Sequence, residues 1–338
     1  MRAWSFALLV VLLSPVVAQS DGTVVAEGKV RALLAKGKVY KARALCSSAL
    51  RAQPVASLYT LRADANNRLG EHSAGELDAR SALRASPRNT AALLQLAIAE
   101  QGLGAKDSAL VHFQEVLRSE PSAEAHLGAA MALRSKGDAA AAIAQLDQAL
   151  ARVPDDARFK ARVLRTLAEC HMVQMDTAAA SKAYTQALAL TPDDPVLLNS
   201  RGWFLYAGTG RHAEAIADYD RAIRQNPNYS YAFNNRGWSR YKTGDRDRAI
   251  ADIERAKRRK DSNPYVFRNL AVIALDAGDK ETACKHLRTA LDLGFTALFG
   301  NEVEALRSAN CADQPAPPPT IAPSNAPTKQ PPTRSNAP

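Results

Sequence analysis

Cysteine is scarce in this sequence. Four occur among 338 residues, and no two of them form a Cys-x-x-Cys pair. Four are too few to build a fold from disulfides, and the missing pair excludes zinc ribbons and thioredoxin-type redox sites. The six histidines are scattered, without the His-x-x-x-His or Glu-x-x-His spacing that places two metal ligands on one helix face. We therefore predict no metal site and no cofactor.

Signatures of catalysis are also missing. The sequence contains no Gly-x-Ser-x-Gly motif, no phosphate-binding loop and no dinucleotide fingerprint. Catalysis needs groups that converge in a protected cavity, and no pattern of that kind is present. We predict a protein that is not an enzyme, with no catalytic residues and no small-molecule substrate.

Long apolar runs are absent except at the N-terminus. Arg2 precedes an apolar run from Phe6 to Val17, and Ala18 follows it. This order predicts a signal peptide over residues 1–18, cleaved after Ala18, and export to the periplasm or the exterior. The run is shorter than the about 20 residues that span a bilayer, although an uncleaved anchor is the alternative. A short N-terminal segment, residues 19–22, would follow.

Proline is concentrated at the other end of the chain. Nine of the 18 prolines fall between Pro315 and Pro338, in a stretch with almost no large apolar side chains. Such a composition cannot bury enough surface to offset its ordering entropy. We predict a disordered, proline-rich tail over residues 311–338. It would act as a passive spacer or, alternatively, dock to a proline-reading module.

A period of about 34 residues runs through the sequence between these ends. Tight-turn pairs, seven of them beginning with glycine and one with Met175, follow one another at 33, 34, 33, 38, 35, 34 and 34 residues. Small residues recur five positions after each turn and, except for Val116, again twelve positions after it, and prolines close most units. Two helices that flank each turn would bury too little surface alone, so the units must stack.

The repeated unit resembles the tetratricopeptide repeat. The family's Ala-x-x-x-aromatic step is present as Ala180 with Tyr184 and Ala215 with Tyr219, and Asn235-Arg236-Gly237 matches one of its subtypes. The resemblance implies an all-α fold, a right-handed solenoid of about eight helix-turn-helix repeats over residues 23–310. The repeats would start near residues 23, 56, 90, 123, 161, 195, 230 and 264. The longer fourth step could bend the stack.

The segment after the last repeat resembles the C-terminal cap of exported bacterial members of this family. It implies a capping helix at about 295–310 that covers the open apolar face. Cys284 in repeat eight and Cys311 at the end of the cap could form a disulfide in an oxidising compartment, the alternative being two free thiols. Cys46 and Cys170 lie in distant repeats and are predicted to be small core residues.

Aromatic residues make up only 6% of the chain, yet eleven lie between Pro195 and Phe267. In the family, one stripe of each first helix lines the concave groove, where stiff aromatics beside amides suit an extended peptide. Packing of the two tryptophans between neighbouring first helices is the alternative. The predicted partner-binding residues are Asn199, Trp203, Tyr206, Tyr231, Asn234, Trp238, Tyr241, Tyr265, Arg268 and Asn269.

One subgroup of the family grips C-terminal carboxylates with lysine, asparagine and arginine. In the best-matching window of this chain only Asn235 fits that pattern, and no basic residue occupies the slots. We therefore do not expect that mode of binding in this window.

The formal net charge is +10, and a basic run closes the second helix of repeat seven. Cations are favoured at a helix C-terminus, so a solvated helix end would explain the run. An anion-binding patch for acidic proteins or lipid headgroups is the alternative. Nucleic acid is not an expected partner, because export argues against it and no base-reading motif is present. The run consists of Arg255, Lys257, Arg258, Arg259 and Lys260.

Together these features predict an exported, non-enzymatic scaffold or adaptor for protein–protein interaction. It would hold a partner protein or extended peptide in the concave groove of repeats five to eight. The alternatives are attachment to an anionic envelope surface through residues 255–260, or a role as helper subunit of an envelope enzyme.

Overall fold

The computed structural model describes residues 21–153, 155–259 and 263–311. Every regular element within these ranges is helical, so the predicted all-α fold of helix-turn-helix repeats is confirmed. None of the helices in these ranges combines the length and apolar character needed to span a bilayer. The predicted signal peptide, residues 19–20, Lys260 and the proline-rich tail from residue 312 onward lie outside the described residues.

The helices fall into two compact units, one ending at Glu214 and the other beginning at Ala215. In the first unit, consecutive helices pack as antiparallel pairs around tight turns. Its helices are α1 (Asp21–Ala35), α2 (Val39–Ala52), α3 (Ala56–Arg68), α4 (His72–Ala85), α5 (Thr90–Gly102), α6 (Lys106–Ser119), α7 (Ala123–Ser135), α8 (Ala139–Leu150), α9 (Ala157–Val173), α10 (Thr177–Leu190) and α11 (Pro195–Ser200).

The second unit contains two further pairs and the predicted cap. The boundary between the units falls in the first turn of α12, so most of that helix belongs here. Its helices are α12 (His212–Gln225), α13 (Ser230–Lys242), α14 (Arg246–Arg259), α15 (Pro264–Asp276), α16 (Lys280–Asp292), α17 (Phe295–Phe299) and α18 (Glu302–Asn310).

The turns form where the sequence placed them. Gly70 has φ of +77°, a left-handed conformation that glycine adopts without steric cost. Met175 takes the equivalent place with φ of +63°, and it is the one non-glycine residue with positive φ in the described chain. Its side chain is 83% exposed, so no packing opposes that conformation.

The small residues of the repeat let paired helices approach closely. Gly237 on α13 lies so near α14 that an added Cβ would stand 2.8 Å from the carbonyl oxygen of Ala249. Gly75, which departs from the usual alanine, makes room for Asn67, whose Oδ1 would lie 2.2 Å from a Cβ at that position. The glycine at position 75 is therefore explained by the space that the Asn67 side chain occupies.

Two longer steps are absorbed inside helices. The 38-residue step appears as α9, which has 17 residues where α3, α5 and α7 have 13. Four added residues make about one helical turn, and α9 begins at Ala157 rather than near 161. The 35-residue step coincides with a π-helical turn over Arg201–Tyr206 that follows α11, and a π-turn accommodates one extra residue.

The end of the second unit is covered by α17 and α18. Phe295 and Val303 are buried in one core cluster with Leu287 of α16. Cys284 and Cys311 form a disulfide with the Cα atoms 5.9 Å apart, so α16 is linked covalently to the residue that ends α18. The apolar face of α16 is therefore closed by the final helices.

Candidate functional site

The first unit contains a cavity of about 990 Å³ between the first helices of repeats two to five. Its lining residues repeat at helical spacing: Asp64, Asn67 and Arg68 on α3, Gln95 and Ile98 on α5, Glu124, Leu127 and Met131 on α7, and Arg158, Phe159 and Arg162 on α9. Residues three and four apart share one face of a helix. Four successive helices thus present one stripe each to the same groove, and we call this cavity the first-unit groove.

The floor of the groove combines apolar and amide side chains. Ile98, Leu127 and Met131 supply the apolar part, next to Gln95 and Gln101. Such a mixture of apolar area and a few placed polar groups is typical of binding clefts.

Amide hydrogen bonds fix the helices that carry this floor. The Asn67 Nδ2 atom donates to the Gln95 carbonyl at 2.8 Å and to its Oε1 atom at 3.0 Å, which joins α3 to α5. The Gln101 Nε2 atom donates to the Gly128 carbonyl at 3.3 Å, which joins α5 to α7. The amide side chains of the groove therefore belong to a rigid framework.

Charged groups occupy the walls, and one of them is perturbed. The Glu124 side chain is exposed at the groove, where neighbouring protein atoms reduce the hydration of its carboxyl group. Loss of hydration, with a smaller contribution from Asp64, raises the pKa of Glu124, although Arg68 and Arg162 oppose the change. Desolvation works against the charge of Arg68, but its 2.6 Å ion pair with Asp64 outweighs this and raises the pKa of Arg68.

Arg162 is the counterpart of Glu124 on the next first helix. Desolvation lowers the pKa of Arg162, and the neighbouring Arg165 and Arg68 lower it further against the attraction of Glu124. Its guanidinium lies 5.6 Å from the centroid of the Phe159 ring. The groove therefore holds opposite charges that lack full hydration.

Three of the predicted binding residues belong to the first unit, and all three are partly buried. Trp203 and Tyr206 lie on the π-helical turn, and Asn199 lies on α11 just before it. The guanidinium groups of Arg201 and Arg211 lie 5.2 and 4.8 Å from the Tyr206 ring centroid. Tyr206 is thus held between two cations, while Trp203 keeps part of its ring accessible.

The second unit brings several predicted aromatic residues into contact with one another and with the cap. The Arg268 guanidinium lies 4.5 Å from the Trp238 ring centroid, and the Tyr241 ring lies 5.4 Å from it. Arg268 also pairs with Glu302 of α18, with Nε 3.1 Å from Oε1. Tyr265 packs on Phe295 and Phe299, with centroids 5.1 and 4.4 Å away. Much of this surface therefore holds the repeats and the cap together.

The two predicted asparagines of this unit are not surface residues. Asn234 and Asn269 are only 3% and 2% exposed, and the Asn269 Nδ2 atom donates to Asn234 Oδ1 at 3.1 Å. Tyr231, in contrast, is 43% exposed. The asparagines link α13 to α15, so the prediction that they contact a peptide directly does not match their burial.

The basic run is partly engaged. Arg255 and Arg259 lie over the Phe233 ring, 4.5 and 5.1 Å from its centroid, and Lys257 pairs with Glu254 at 3.1 Å. Arg258 is exposed and has no ion pair with any described residue. Most of the described cations in the run therefore have local partners, and attachment to an anionic surface stays a prediction.

The remaining cysteines do not form a reactive site. Cys46 and Cys170 are free and buried, and burial raises the pKa of each thiol to about 11. Both thiols are therefore protonated at neutral pH, and the thiolate is the reactive form. Within the described residues, no three histidine, cysteine, aspartate or glutamate side chains are grouped as metal ligands would be.

Sequence reasoning placed the candidate site in repeats five to eight and missed the first-unit groove. Asn67, Gln101, Glu124 and Arg162 do not stand out by composition. The 38-residue step was the available signal, since the added turn of α9 carries Arg158 and Phe159 into the groove wall. The four-residue insertion at the start of α9 was therefore the sequence signal for this wall of the groove.

The chain was compared with known families and proteins. The family model described as tetratricopeptide repeat matches residues 94–157, 166–230 and 234–294. The heat-shock protein cognate co-chaperone sgt12 of Aspergillus fumigatus is 29% identical over 131 residues, which is 39% of this chain. The match covers 35% of that relative, so this chain spans about a third of its length.

Solved structures show the same architecture at low identity. The APC/C hetero-tetramer Cut9–Hcn1 aligns with a TM-score of 0.64 and 18% identity, over 82% of this chain and 54% of the other. A tetratricopeptide repeat protein from Parabacteroides merdae aligns with a TM-score of 0.58 and 18% identity, over 75% and 99% of the two chains. A human IFIT1 dimer with PPP-AAAA aligns with a TM-score of 0.60 and 18% identity, over 80% of this chain and 72% of the other. Likeness at this level concerns the fold alone.

Proposed function

Since this chain belongs to the tetratricopeptide repeat family, we propose that it is a non-enzymatic scaffold that binds an extended segment of a partner protein. The observation that carries this proposal is the first-unit groove, about 990 Å³ in volume and lined by side chains from four first helices. A cleft of this size, open and with few buried anchors, suits a polypeptide segment held with modest, micromolar affinity.

The length of the groove sets the length of the bound segment. Packed helices lie 8–10 Å apart, so four helices in a row span roughly 30 Å. An extended chain covers about 3.3 Å per residue, so the groove would hold about nine residues. Charged groups on the walls can pair with polar groups of such a segment, and the apolar part of the floor can take alternate side chains.

Filling the groove tests this function. We would select peptides of about ten residues on the full chain after the predicted signal and measure their affinity by fluorescence anisotropy. Replacing Gln101 by Trp fills the groove without changing its charge and is expected to abolish binding. The matched control, Gln114→Trp, changes an exposed residue of α6 outside the groove and should leave binding intact. Equal affinities for the two variants, both with native circular dichroism, would exclude the groove as the binding site.

The aromatic residues form a second part of the proposal. We propose Trp203 in the first unit and Trp238 in the second as further contact points for the partner. The Trp203 ring is half-buried and has no ring contact in the described structure, which supports its role as a contact point. The Trp238 ring is already stacked on Arg268. Replacement of each by Ala should weaken partner capture with little change in helicity or melting temperature. Loss of helical signal instead would assign both residues to the core.

Export is a further proposal. The apolar run at residues 6–17 motivates it, and the Cys284–Cys311 disulfide supports it, because such bonds persist in oxidising compartments. Cell fractionation with the native N-terminus, compared with a variant that starts at residue 19, tests it. Recovery of the native chain in the cytoplasm would contradict export.

A further inference from the structure

The first-unit groove has one wall without a counterpart in the other repeats. Helix α9 begins four residues earlier than the repeat period requires, and the added turn is residues 157–160. The Asp156 Oδ1 atom accepts hydrogen bonds from the backbone N–H groups of Arg158 at 2.9 Å and Phe159 at 3.1 Å. This cap orders the added turn, so Arg158 and Phe159 stand at fixed places beside the cavity.

Three guanidinium groups line this side of the groove without an anionic partner. Arg152, Arg158 and Arg162 have no ion pair within 4.0 Å among the described residues. Arg152 donates only to Gln148, at 3.2 Å to its carbonyl and 2.7 Å to its Oε1 atom. Arginine is suited to carboxylates because its planar group can donate two parallel hydrogen bonds. Apart from the contact of Arg152 with Gln148, the guanidinium donors of this wall have no acceptor in the described chain.

The acidic groups of the lining neutralise these arginines only in part. Asp64 is paired with Arg68 at 2.6 Å. Asp156 uses its Oδ1 atom for the helix cap. Glu124 and Asp156 both attract Arg162, and neither has an ion pair within 4.0 Å among the described residues. Three cations without an ion pair thus stand against two such anions, and the lining keeps an excess of one positive charge.

We propose that the added turn of α9 is a selectivity element that makes the first-unit groove bind an extended acidic polypeptide segment. Side-chain carboxylates of the segment pair with Arg158 and Arg162, and apolar side chains between them pack on Phe159 and Met131. This inference rests on the proposed function and names the chemical class of its partner. The contacts are to side-chain carboxylates, so a free C-terminus is not required.

A polypeptide suits this wall better than single-stranded nucleic acid does. Nucleic-acid grooves stack successive bases on several aromatic side chains along a basic track. Phe159 is the one phenylalanine, tyrosine or tryptophan in the described lining, and the rest of the lining is aliphatic, amide and charged apart from His72 and Ser122. Alternating carboxylates and apolar groups match this surface more closely than stacked bases.

The test uses the full chain after the predicted signal and three synthetic peptides of about ten residues. All are acetylated and amidated and differ only in whether Glu, Gln or Lys alternates with leucine and serine. We expect the Glu peptide to bind about tenfold or more tightly than the Gln peptide, and the Lys peptide not to bind. Affinity for the Glu peptide should fall as NaCl is raised.

Reversing the charge of Arg158 and Arg162 tests whether the preference for the Glu peptide comes from the α9 side of the groove. Arg158→Glu with Arg162→Glu should weaken the Glu peptide about tenfold or more and allow the Lys peptide to bind. The control, Arg88→Glu with Arg118→Glu, makes the same net change at exposed arginines of the first unit outside the lining and should have little effect. Arg158→Gln with Arg162→Gln, checked by circular dichroism, guards against misfolding of the reversed variant and should weaken the Glu peptide as well.

The outcomes separate the two proposals. Suppose that the selected peptides bind and that Gln101→Trp abolishes this binding, yet the Glu and Gln peptides bind equally. The proposed function then stands, and the proposed selectivity for acidic segments is wrong. If the two charge-reversal variants weaken the Glu peptide equally, the wall is not the site. If a single-stranded oligonucleotide competes for the groove more tightly than the Glu peptide, the assignment to polypeptide is overturned.

Discussion

Glu124 and Arg162 occupy the second position of the regular 13-residue helix in successive repeats, on α7 and α9. The equivalent residues on α3 and α5 are Ser57 and Ala91, which carry no charge. Glu124 and Arg162 therefore place opposite charges at equivalent positions on neighbouring helices of the groove, and both charged groups lose hydration there. Partially desolvated charges reduce stability and raise affinity for a complementary partner, a trade-off that is common at binding sites.

The raised pKa of Glu124 makes its effect on stability depend on pH. The folded protein binds the proton more tightly than the unfolded chain does, so ionisation of Glu124 destabilises the folded state as pH rises through the raised pKa. We expect Glu124→Gln to raise the melting temperature at pH 7. The difference from the wild type should shrink as pH falls and vanish below the ordinary glutamate pKa of about 4.3. A gain that stays constant with pH would contradict this account.

Gly237 tests the close approach of α13 and α14. An added Cβ would stand 2.6 Å from Ile253 Cγ1 and 2.8 Å from the Ala249 carbonyl oxygen, and that oxygen is backbone that no rotamer can move. We expect Gly237→Ala to lower the free energy of unfolding by about 1–3 kcal/mol, measured in urea.

Gly28→Ala is the contrasting control. Gly28 lies inside α1, and nothing lies within 4 Å of a Cβ built there. We expect this change to stabilise by about 0.5–1 kcal/mol, because alanine favours a helix. Equal effects of the two substitutions would refute the packing argument for Gly237.

At the scale of elements, the helix pairs could be predicted because their signals are local. A glycine with positive φ ends one helix, and small residues at fixed offsets mark the face of the next. The 38-residue step was visible too, but the sequence did not show whether the four added residues form a loop or a turn of α9. The cap from Asp156 to the N–H groups of Arg158 and Phe159 decides this, and it is visible only in the structure.

The candidate site was harder to predict, because one helical stripe serves two purposes. Asn234 and Trp238 lie four apart on α13, a spacing that fits either a groove or a contact between repeats. The structure buries Asn234 against Asn269, 35 residues away, and leaves Trp238 half-buried under Arg268. Side chains of the next repeat decide which of these residues faces solvent. The pattern within a single helix does not contain that information.

The Cys284–Cys311 disulfide stabilises the final element. It closes a loop with a sequence separation of 27 residues, and closure of a loop of that length is worth about 3–4 kcal/mol in the chain-entropy model. Replacing both cysteines by Ala should therefore loosen α18 from α16. We expect faster amide exchange in α18 and at Val303, measured by mass spectrometry, and unchanged exchange in α3–α9.

The reduced wild-type chain is the control for that variant. Cys46 and Cys170 are already free thiols, so a reductant changes only the Cys284–Cys311 bond. The reduced chain should match the exchange pattern of the double variant. Unchanged protection of α18 after reduction would mean that its apolar contacts suffice.

At the scale of the molecule, the two units carry different features. All lining residues of the first-unit groove lie between Asp64 and Arg162, whereas the disulfide, the cap and the Trp238–Arg268 stack lie after Ala215. In repeat proteins each repeat contacts mainly its neighbours, so a local change spreads only weakly along the chain. Binding and redox state should therefore be separable in this protein.

Reduction is the change that tests this separation. We expect the oxidised and the reduced chain to bind the acidic peptide with the same dissociation constant by isothermal titration calorimetry, because the groove and the disulfide belong to different units. Gln101→Trp should abolish the heat of binding in both states and so serves as the common control. If reduction weakens binding of the peptide as strongly as the charge reversal at Arg158 and Arg162 does, the groove depends on the second unit, and the independence argued for the first-unit groove is wrong.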